Sequence, residues 1–517
     1  MKKRWLLALA AMPLATMWAT STSAANQPPV TAVPMGYPAE DLKQFMVKAA
    51  AAEAIADPLK RCLAYPDVPS SHWDRAAVRA YCYYRHQPLV SLDDMRQLVR
   101  EGHAGELDRR LMAALDAQTK DADAPSRLDV IYRQAFLHDA ADLRPMLEAW
   151  KRASPKSAFA YAASGYEYVE RALDLRGEEY VANTSPSRMR RMKEFLVNGE
   201  SDLYKAIELD PHVTPTYVAL IQGANIGENH DYAERFVEQG LAAAPANYAI
   251  YESAMQTREP IWGGSTEGMQ ALAEQARSHA KENPMLVIFQ SDKDFYPIRH
   301  CDCSASEKIA KAKALFNTMS SSADLWHAGD VAADNSDPFS AMIWLSETLR
   351  FNPWAPRALA QRSMQLTALG DPDWALRDAA AAIKAAPADA GGYKARAVAY
   401  EALTNYKGAA EALQAAEQRD SDDSWPLIEL ANVYFFHTHE WDKAWKTTDK
   451  AIKKFPDVPY GWVLRAKLQE ATGRPGLQAT LHEFSKRFGS DPQQQGNLSW
   501  MQGVVAKQTQ KAHGDAR

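Results

Sequence analysis

The stretch Ala390–Ser421, AGGYKARAVAYEALTNYKGAAEALQAAEQRDS, decides the fold of this chain. Apolar residues recur in it at spacings of three and four, in two separate runs. They are Tyr393, Ala397 and Tyr400 in the first run, and Ala409, Leu413 and Ala416 in the second. This spacing predicts two amphipathic helices joined by a short turn. Neither helix can bury its apolar stripe alone, so each is expected to stack on a neighbouring helix.

The same pattern returns with a period of 34 residues. The period is marked by prolines, or by positions equivalent to them, at Pro211, Pro245, Pro353, Pro387, Ser421 and next to Pro456. About twelve residues before the later markers stand the small residues Ala341, Ala375, Ala409 and Ala444. A fixed period of this length predicts an array of stacked helical hairpins, because each repeat is one supersecondary unit.

These residues resemble the tetratricopeptide repeat (TPR), a helix-turn-helix unit with small residues at the helix crossing and a proline after its second helix. The resemblance is good over 338–456 and fair over 200–246. Gly370 stands at the turn of one repeat, and Thr404 replaces it in the next. The resemblance implies an all-α, TPR-like right-handed helical-hairpin solenoid with an irregular helical N-terminal region. It also implies that the first helices line a concave groove.

Composition agrees with a helical chain. Hydrophobic residues make up 46% and charged residues 24% of the 517, which excludes a disordered, collagen-like or multi-span membrane chain. The longest basic run, Arg188–Lys193, is short and typical of a solvated helix face, and the net charge is -6. We therefore expect no nucleic-acid partner.

The first 25 residues are typical of an export signal. Lys2, Lys3 and Arg4 precede an apolar stretch from Trp5 to Ala19, and the small residues Ser23, Ala24 and Ala25 follow it. An uncleaved anchor is the alternative, but Pro13 leaves fewer than about 20 apolar residues for a membrane span. Without a cysteine after the small residues, a lipoprotein is not expected. The sequence predicts a periplasmic or secreted protein of a bacterial envelope, with no stable membrane insertion after cleavage.

Residues 26–155 form the irregular helical N-terminal region. Its predicted helices are Ala39–Cys62, Arg75–His86, Leu92–Glu101, Glu106–Lys120, Ser126–His138 and Asp142–Lys151. A helical middle domain is predicted over 156–290 with a TPR-like hairpin at 200–246, then a repeat array over 300–490 and a polar tail over 491–517.

The middle region has a distinctive set of sequence motifs. Its marks are Tyr161-Ala162, Leu175-Arg176-Gly177, Asp210-Pro211 and the block from Pro260 to Ser265 followed by Met269. Over Ser157–Asn283 it is similar to an uncharacterised bacterial domain-of-unknown-function family that is often fused to TPR-like repeats. The Trp262-Gly263-Gly264-Ser265 block is the most specific part of this resemblance.

Export would place four cysteines in an oxidising compartment, where disulfides are the default. Cys62 and Cys82 are twenty residues apart, which suits a bridge between two antiparallel helices, although three pairings remain open. His300, Cys301 and Cys303 could instead bind Cu(I) or Zn(II), or support redox chemistry. A lone Cys-x-Cys with one histidine lacks the spacing of a known zinc site.

The predicted repeat register directs a mixed set of charged, polar and aromatic side chains into the groove. They are Arg357, Gln361, Lys394, Glu401, Asn432, Phe436, Trp462 and Arg465. Such a mixture is typical of surfaces that bind peptides or proteins. The alternative is that these residues are ordinary surface side chains. The Trp262–Ser265 turn is a second candidate, since glycines at a helix start can expose N–H groups to an anion. A turn alone would also explain its glycines.

No sequence motif points to catalysis. Gly-x-Ser-x-Gly, His-Glu-x-x-His and the phosphate-binding loop are all missing from the sequence. His437 and His439 point about 200° apart on a helix and would share a metal only in a turn. We therefore expect a non-catalytic scaffold without cofactors that binds an extended segment of another protein. The alternative is a metal-binding or redox envelope protein using residues 300–303.

Overall fold

The computed structural model describes residues 37–136, 143–177 and 184–514, and the predicted signal peptide lies outside them. All regular structure in these ranges is helical. The described residues form two compact units. The first comprises residues up to Val331 together with Arg350–Asn352, and the second comprises Ala332–Leu349 and the residues from Pro353 onward.

Fifteen α-helices of the described chain belong wholly to the first unit. They are α1 (Ala39–Glu53), α2 (Pro58–Ala64), α3 (Arg75–His86), α4 (Leu92–Arg100), α5 (Ala104–Lys120), α6 (Arg127–Phe136), α7 (Leu143–Ala153), α8 (Ala158–Arg176), α9 (Pro186–Leu209), α10 (Pro215–Ile226), α11 (His230–Ala243), α12 (Tyr248–Thr257), α13 (Thr266–Ser278), α14 (Ile288–His300) and α15 (Ala305–Leu315). The next two, α16 (Ser322–Asp334) and α17 (Pro338–Phe351), contain residues of both units.

The second unit continues with nine α-helices. They are α18 (Pro356–Ala368), α19 (Pro372–Ala385), α20 (Gly391–Ala402), α21 (Tyr406–Arg419), α22 (Trp425–Asn432), α23 (Trp441–Lys454), α24 (Pro459–Thr472), α25 (Leu477–Phe488) and α26 (Gln495–Gly514). Helices α18 to α25 form four successive hairpins, so the predicted array of helical hairpins is confirmed. The alanines expected at the helix crossings, Ala341, Ala375, Ala409 and Ala444, are all fully buried.

The turn inside each hairpin depends on one left-handed residue. Gly370, Thr404, His439 and Gly473 all have positive φ, at 88°, 55°, 53° and 68°. Glycine adopts this conformation without a steric penalty, whereas a β-branched residue does not. Thr404 and His439 nevertheless adopt the left-handed conformation, so the turn is kept in the two hairpins that lack the glycine.

A π-helical turn at Val433–His437 extends α22 before its hairpin turn. It adds one residue, so α23 begins 35 residues after α21 instead of 34. This single insertion shifts the repeat register for every residue that follows.

In the first unit, glycines allow two long helices to approach closely. A Cβ on Gly165 of α8 would lie 2.4 Å from Leu203 Cγ and 2.9 Å from the carbonyl oxygen of Gly199 in α9. Deeper in the unit, aromatic rings pack against one another, including Tyr84 and Tyr248 with centroids 4.9 Å apart. The first unit thus has its own core.

Two sequence predictions of helix extent were wrong. The predicted helix Ala39–Cys62 is broken into α1 and α2, because Pro58 starts a new helix that Asp57 caps. The predicted polar tail from 491 contains α26, whose Leu498, Met501 and Val504 are buried in the last apolar cluster of the second unit. An apolar residue at every third or fourth position supplies the buried stripe.

None of the helices described here is long and apolar enough to cross a membrane.

Candidate functional site

The first helices of three successive repeats, α20, α22 and α24, carry a linked set of polar and aromatic side chains, all partly buried except the exposed Tyr460. We call it the first-helix surface. Its residues are Glu401, Glu429, Asn432, Phe436, Tyr460 and Lys467. Phe436 lies in the π-helical turn that extends α22.

One end of this surface is acidic. Asn432 Nδ2 donates a hydrogen bond to Glu429 Oε2 at 3.2 Å, and Tyr460 Oη donates to Asn432 Oδ1 at 3.3 Å. Burial raises the pKa of Glu401 to about 7, and the nearby Glu429 carboxylate adds to this rise. Burial also raises the pKa of Glu429, although the hydrogen bond from Asn432 opposes the change. Two carboxylates thus share a partly dehydrated surface, and the Glu401 carboxylate forms no hydrogen bond or ion pair among the described residues.

The other end is cationic. The Lys467 ammonium lies 5.4 Å from the ring centroid of Phe436, within the range of a cation–π interaction. Burial lowers the pKa of Lys467. The negative charge of Glu470 opposes this shift without outweighing it. In the part of the chain that the structure describes, Lys467 has no ion-pair partner. An incoming anion would therefore supply the compensation that this half-buried cation lacks.

The structure places three of the predicted groove residues, Glu401, Asn432 and Phe436, on this surface. Arg357 is exposed and Gln361 is half-buried on α18. Lys394 is engaged within the array, because its ammonium pairs with Asp423.

For Trp462 the expectation was wrong, and Arg465 is engaged within the array. Trp462 is 8% exposed and belongs to an apolar core cluster, with its Nε1 donating to the carbonyl oxygen of Pro456 at 2.9 Å. Arg465 pairs with Asp449 and lies over the ring of Trp445. Both residues therefore stabilise the repeat array itself.

Sequence reasoning missed Glu429, Tyr460 and Lys467. A signal for Lys467 was present, since Val398, Asn432 and Lys467 follow one another at 34 and 35 residues. The one-residue insertion of the π-helical turn hid the last step. For Glu429 and Tyr460 no repeat-period signal exists, because their importance comes from contacts between neighbouring helices.

The Trp262 turn is explained by its backbone. Gly263 has φ of 92°, and a Cβ on Gly264 would lie 2.3 Å from the carbonyl oxygen of Arg258. Ser265 then caps α13 by accepting a hydrogen bond from the Gly268 N–H at 3.0 Å. These contacts account for the glycines, and the anion site stays a prediction.

The histidines near the hairpin turn of α22 and α23 have separate surroundings. His437 stacks on Tyr406 with ring centroids 4.0 Å apart, whereas His439 Nδ1 lies 3.3 Å from the carbonyl oxygen of Phe435. No group of three or more histidine, cysteine or acidic side chains is placed to hold a metal in the ranges that the structure covers.

The four cysteines form two disulfides. One joins Cys62 of α2 to Cys82 of α3, which is the pairing predicted from their spacing. The other joins Cys301 to Cys303 in the loop between α14 and α15. With both sulfurs bonded to each other, Cys301 and Cys303 do not offer the pair of thiolates that the alternative metal site required.

Comparison with protein families gives one match. Residues 91–222 match the model of a family described as "Domain of unknown function (DUF4034)", and they cover α4 to α9 and most of α10. The matched segment therefore starts earlier than the resemblance drawn over Ser157–Asn283. It also ends before the Trp262 turn, which is not part of it. A search of curated proteins finds no match.

Several solved structures are similar at low identity. TTC0263, a thermophilic TPR protein in Thermus thermophilus, is 21% identical with a TM-score of 0.31, over 36% of this chain and 100% of that chain. A TPR protein from Parabacteroides merdae is 13% identical with a TM-score of 0.33, over 57% and 98%. Yeast Tom70 is 11% identical with a TM-score of 0.34, over 81% and 95%. The hairpin repeat itself, rather than these distant similarities, gives this chain a TPR-like fold, and residues 91–222 are similar to the DUF4034 family.

Proposed function

We propose that this protein is a non-catalytic scaffold that binds an extended segment of another protein along the first-helix surface. The observation that carries this proposal is the pair of partly buried, uncompensated charges at Glu401 and Lys467. Charges in such surroundings are costly unless a partner offsets them. The sequence contains none of the three catalytic motifs named above, which favours a binding role over an enzymatic one.

The chemistry of the surface defines a complementary segment. A lysine or arginine side chain would be bound by Glu401 and Glu429, and an acidic side chain would pair with Lys467. Between these charges, Phe436 and Tyr460 offer aromatic area for an apolar side chain. Charge-assisted hydrogen bonds of this kind are each worth about 1.5–3 kcal/mol.

Site-specific photo-crosslinking tests this proposal. A benzoylphenylalanine replaces Phe436 or Tyr460 in the full chain, and the same label replaces Trp441 as a matched control. Trp441 is an exposed aromatic residue on a second helix. We expect one partner segment to crosslink at positions 436 and 460 and not at 441. Crosslinking at position 441 alone, or to the same extent at all three positions, would show that the partner does not bind at the first-helix surface.

A titration then separates binding from mere proximity. The crosslinked segment is made as a synthetic peptide and titrated against the parent and against Lys467→Gln. The proposal requires weaker binding by the variant, and equal affinity of the two proteins would contradict it.

We further propose that the chain is exported to the bacterial envelope, on the basis of the basic, apolar and small-residue segments within residues 1–25. Mass spectrometry of the mature N-terminus from the native cell tests this. A chain that begins near Ala25 or Asn26 is expected, whereas an intact Lys2-Lys3-Arg4 segment would contradict cleavage.

A further inference from the structure

The two disulfides of this chain have different surroundings. Cys62 and Cys82 are both 0% exposed and join two helices of the first unit. Cys301 and Cys303 are half-buried and lie in a four-residue loop, after α14 ends at His300 and before α15 begins at Ala305. Only the second disulfide is open to an incoming reagent.

The loops that the two disulfides close also differ. Cys82 is twenty positions after Cys62 in the sequence, but Cys303 is only two positions after Cys301. A disulfide restricts the unfolded chain more when it closes a longer loop. The Cys301–Cys303 bond therefore contributes less to folding than the Cys62–Cys82 bond does.

A cation lies next to one sulfur of the exposed pair. Lys311 of α15 donates from Nζ to Cys303 Sγ at 3.3 Å, and its side chain is otherwise exposed. An adjacent ammonium stabilises a thiolate, and a better-stabilised thiolate is a faster leaving group in disulfide exchange. Cys303 is accordingly the leaving sulfur, and Cys301 the sulfur that is attacked.

We infer that Cys301–Cys303 is a thiol–disulfide exchange site that accepts electrons from the cysteine thiols of a second molecule. This inference is independent of the proposed binding function, since it depends on different residues in the other unit.

The reaction balances with a dithiol as co-reactant. A thiolate of the second molecule attacks Cys301 Sγ, the Cys301–Cys303 bond breaks, and Cys303 leaves as a thiolate beside Lys311. The result is a mixed disulfide between the second molecule and Cys301. A second thiolate of that molecule then attacks its own bonded sulfur and releases Cys301. The second molecule is oxidised to a disulfide, and Cys301 and Cys303 take up two electrons and two protons.

Reduction of the full chain by reduced glutathione tests the inference, with differential alkylation and mass spectrometry at timed points. We expect Cys301 and Cys303 to be reduced at least about tenfold faster than Cys62 and Cys82, which serve as the internal control. The glutathionyl adduct should form on Cys301. Equal rates for the two disulfides, or an adduct confined to Cys303, would overturn the inference.

Variants of the neighbouring lysine test the role of the cation. Lys311→Gln should slow reduction of Cys301–Cys303 several-fold, Lys311→Arg should retain the rate, and Lys308→Gln on the same helix serves as the matched control. A melting curve for each variant shows that it is folded. An unchanged rate in a folded Lys311→Gln chain would overturn the assignment of Cys303 as the leaving sulfur.

Discussion

Arg362 and Asp378 form two parallel hydrogen bonds inside the second unit, with Nε to Oδ2 at 2.7 Å and Nη2 to Oδ1 at 2.9 Å. The residues are 1% and 5% exposed, and they join the two helices of one hairpin. Arg362 Nη1 also donates to Ser346 Oγ at 3.3 Å on the preceding helix. A buried guanidinium tolerates this setting only while its charge is paired. The pair therefore ties α18 to α19 within the hairpin.

Asp378→Asn should destabilise the α18–α19 hairpin, because it replaces the carboxylate that accepts two hydrogen bonds from the buried Arg362 guanidinium. The expected loss is about 1.5–3 kcal/mol. Hydrogen exchange of the α18 and α19 amides measures it locally. Asp449→Asn is the matched control, since its pair with Arg465 is partly exposed and is worth about 0–1 kcal/mol. Equal exchange in the two variants would contradict a structural role for the buried pair.

Two opposite substitutions at the hairpin turns test whether the left-handed residue limits stability. Thr404→Gly should stabilise its hairpin and Gly370→Thr should destabilise the preceding one, each by about 1–2 kcal/mol, because a β-carbon is disfavoured at positive φ. Urea unfolding followed by circular dichroism measures both changes. If Thr404→Gly did not raise stability, the threonine side chain would be supplying a compensating contact.

Close packing of α8 on α9 predicts a strong dependence on Gly165. Gly165→Ala should cost about 1–3 kcal/mol, since its Cβ would overlap Leu203. Gly105 in α5 is the matched control, because a Cβ there meets no atom within 4 Å. Gly105→Ala should leave the thermal midpoint unchanged or slightly raised. A Gly165→Ala chain that melted with the parent would show that Leu203 can move aside.

The repeat array could be predicted from sequence because its determinants are local and periodic. Ala375 and Ala409 stand 34 residues apart and are both buried where helices cross. The helix face on which each side chain lies was harder to predict. Trp462 was assigned to the groove although its ring fills a core cluster, because the π-helical turn had shifted the register before it. Contacts between repeats, such as that of Tyr460 with Asn432, have no periodic signal at all.

Two carboxyl groups of the first unit predict a pH dependence of its stability. Asp324 is buried beside Asp292, and Ser321 Oγ accepts a hydrogen bond from the Asp324 N–H at 3.2 Å. Burial raises the pKa of Asp292 to about 6 and the pKa of Asp324 well above its usual range, where the charge of Asp292 adds to the rise. A carboxyl group whose pKa is higher in the folded state than in the unfolded state stabilises the fold when it is protonated. The contribution of the pair is therefore fully present below about pH 4 and is lost as the pH rises through 6.

Asp324→Asn should reduce this dependence, because the amide remains neutral at every pH in the range while Asp292 still titrates. The free energy of unfolding, measured in urea at intervals between pH 4 and pH 8, should be about 1–3 kcal/mol higher than in the parent at pH 8. Asp302→Asn serves as the control, since Asp302 is an exposed aspartate of the same unit. The same slope in the parent and in Asp324→Asn would contradict the proposed pair.

The last prediction concerns the pH dependence of binding at the first-helix surface. Burial and the neighbouring Glu429 hold the pKa of Glu401 near 7, so about half of the free chains carry a proton there at neutral pH. A basic side chain binds the ionised form, so the affinity for a basic segment should rise as the pH increases from 6 to 8. The expected change is up to about tenfold per pH unit below the pKa. Titration calorimetry with the crosslinked segment, made as a synthetic peptide, measures it.

Glu401→Gln should bind this peptide more weakly and with an affinity that varies little over the same range. Glu411→Gln is the matched control, because Glu411 is an exposed glutamate on the second helix of the same hairpin. Folding should be preserved in both variants, since replacing Glu401 removes a partly buried charge. If Glu401→Gln kept the pH dependence of the parent, another group would bind the basic side chain. If Glu401→Gln instead bound as tightly as the parent at every pH, the peptide would not contact the acidic end of the surface.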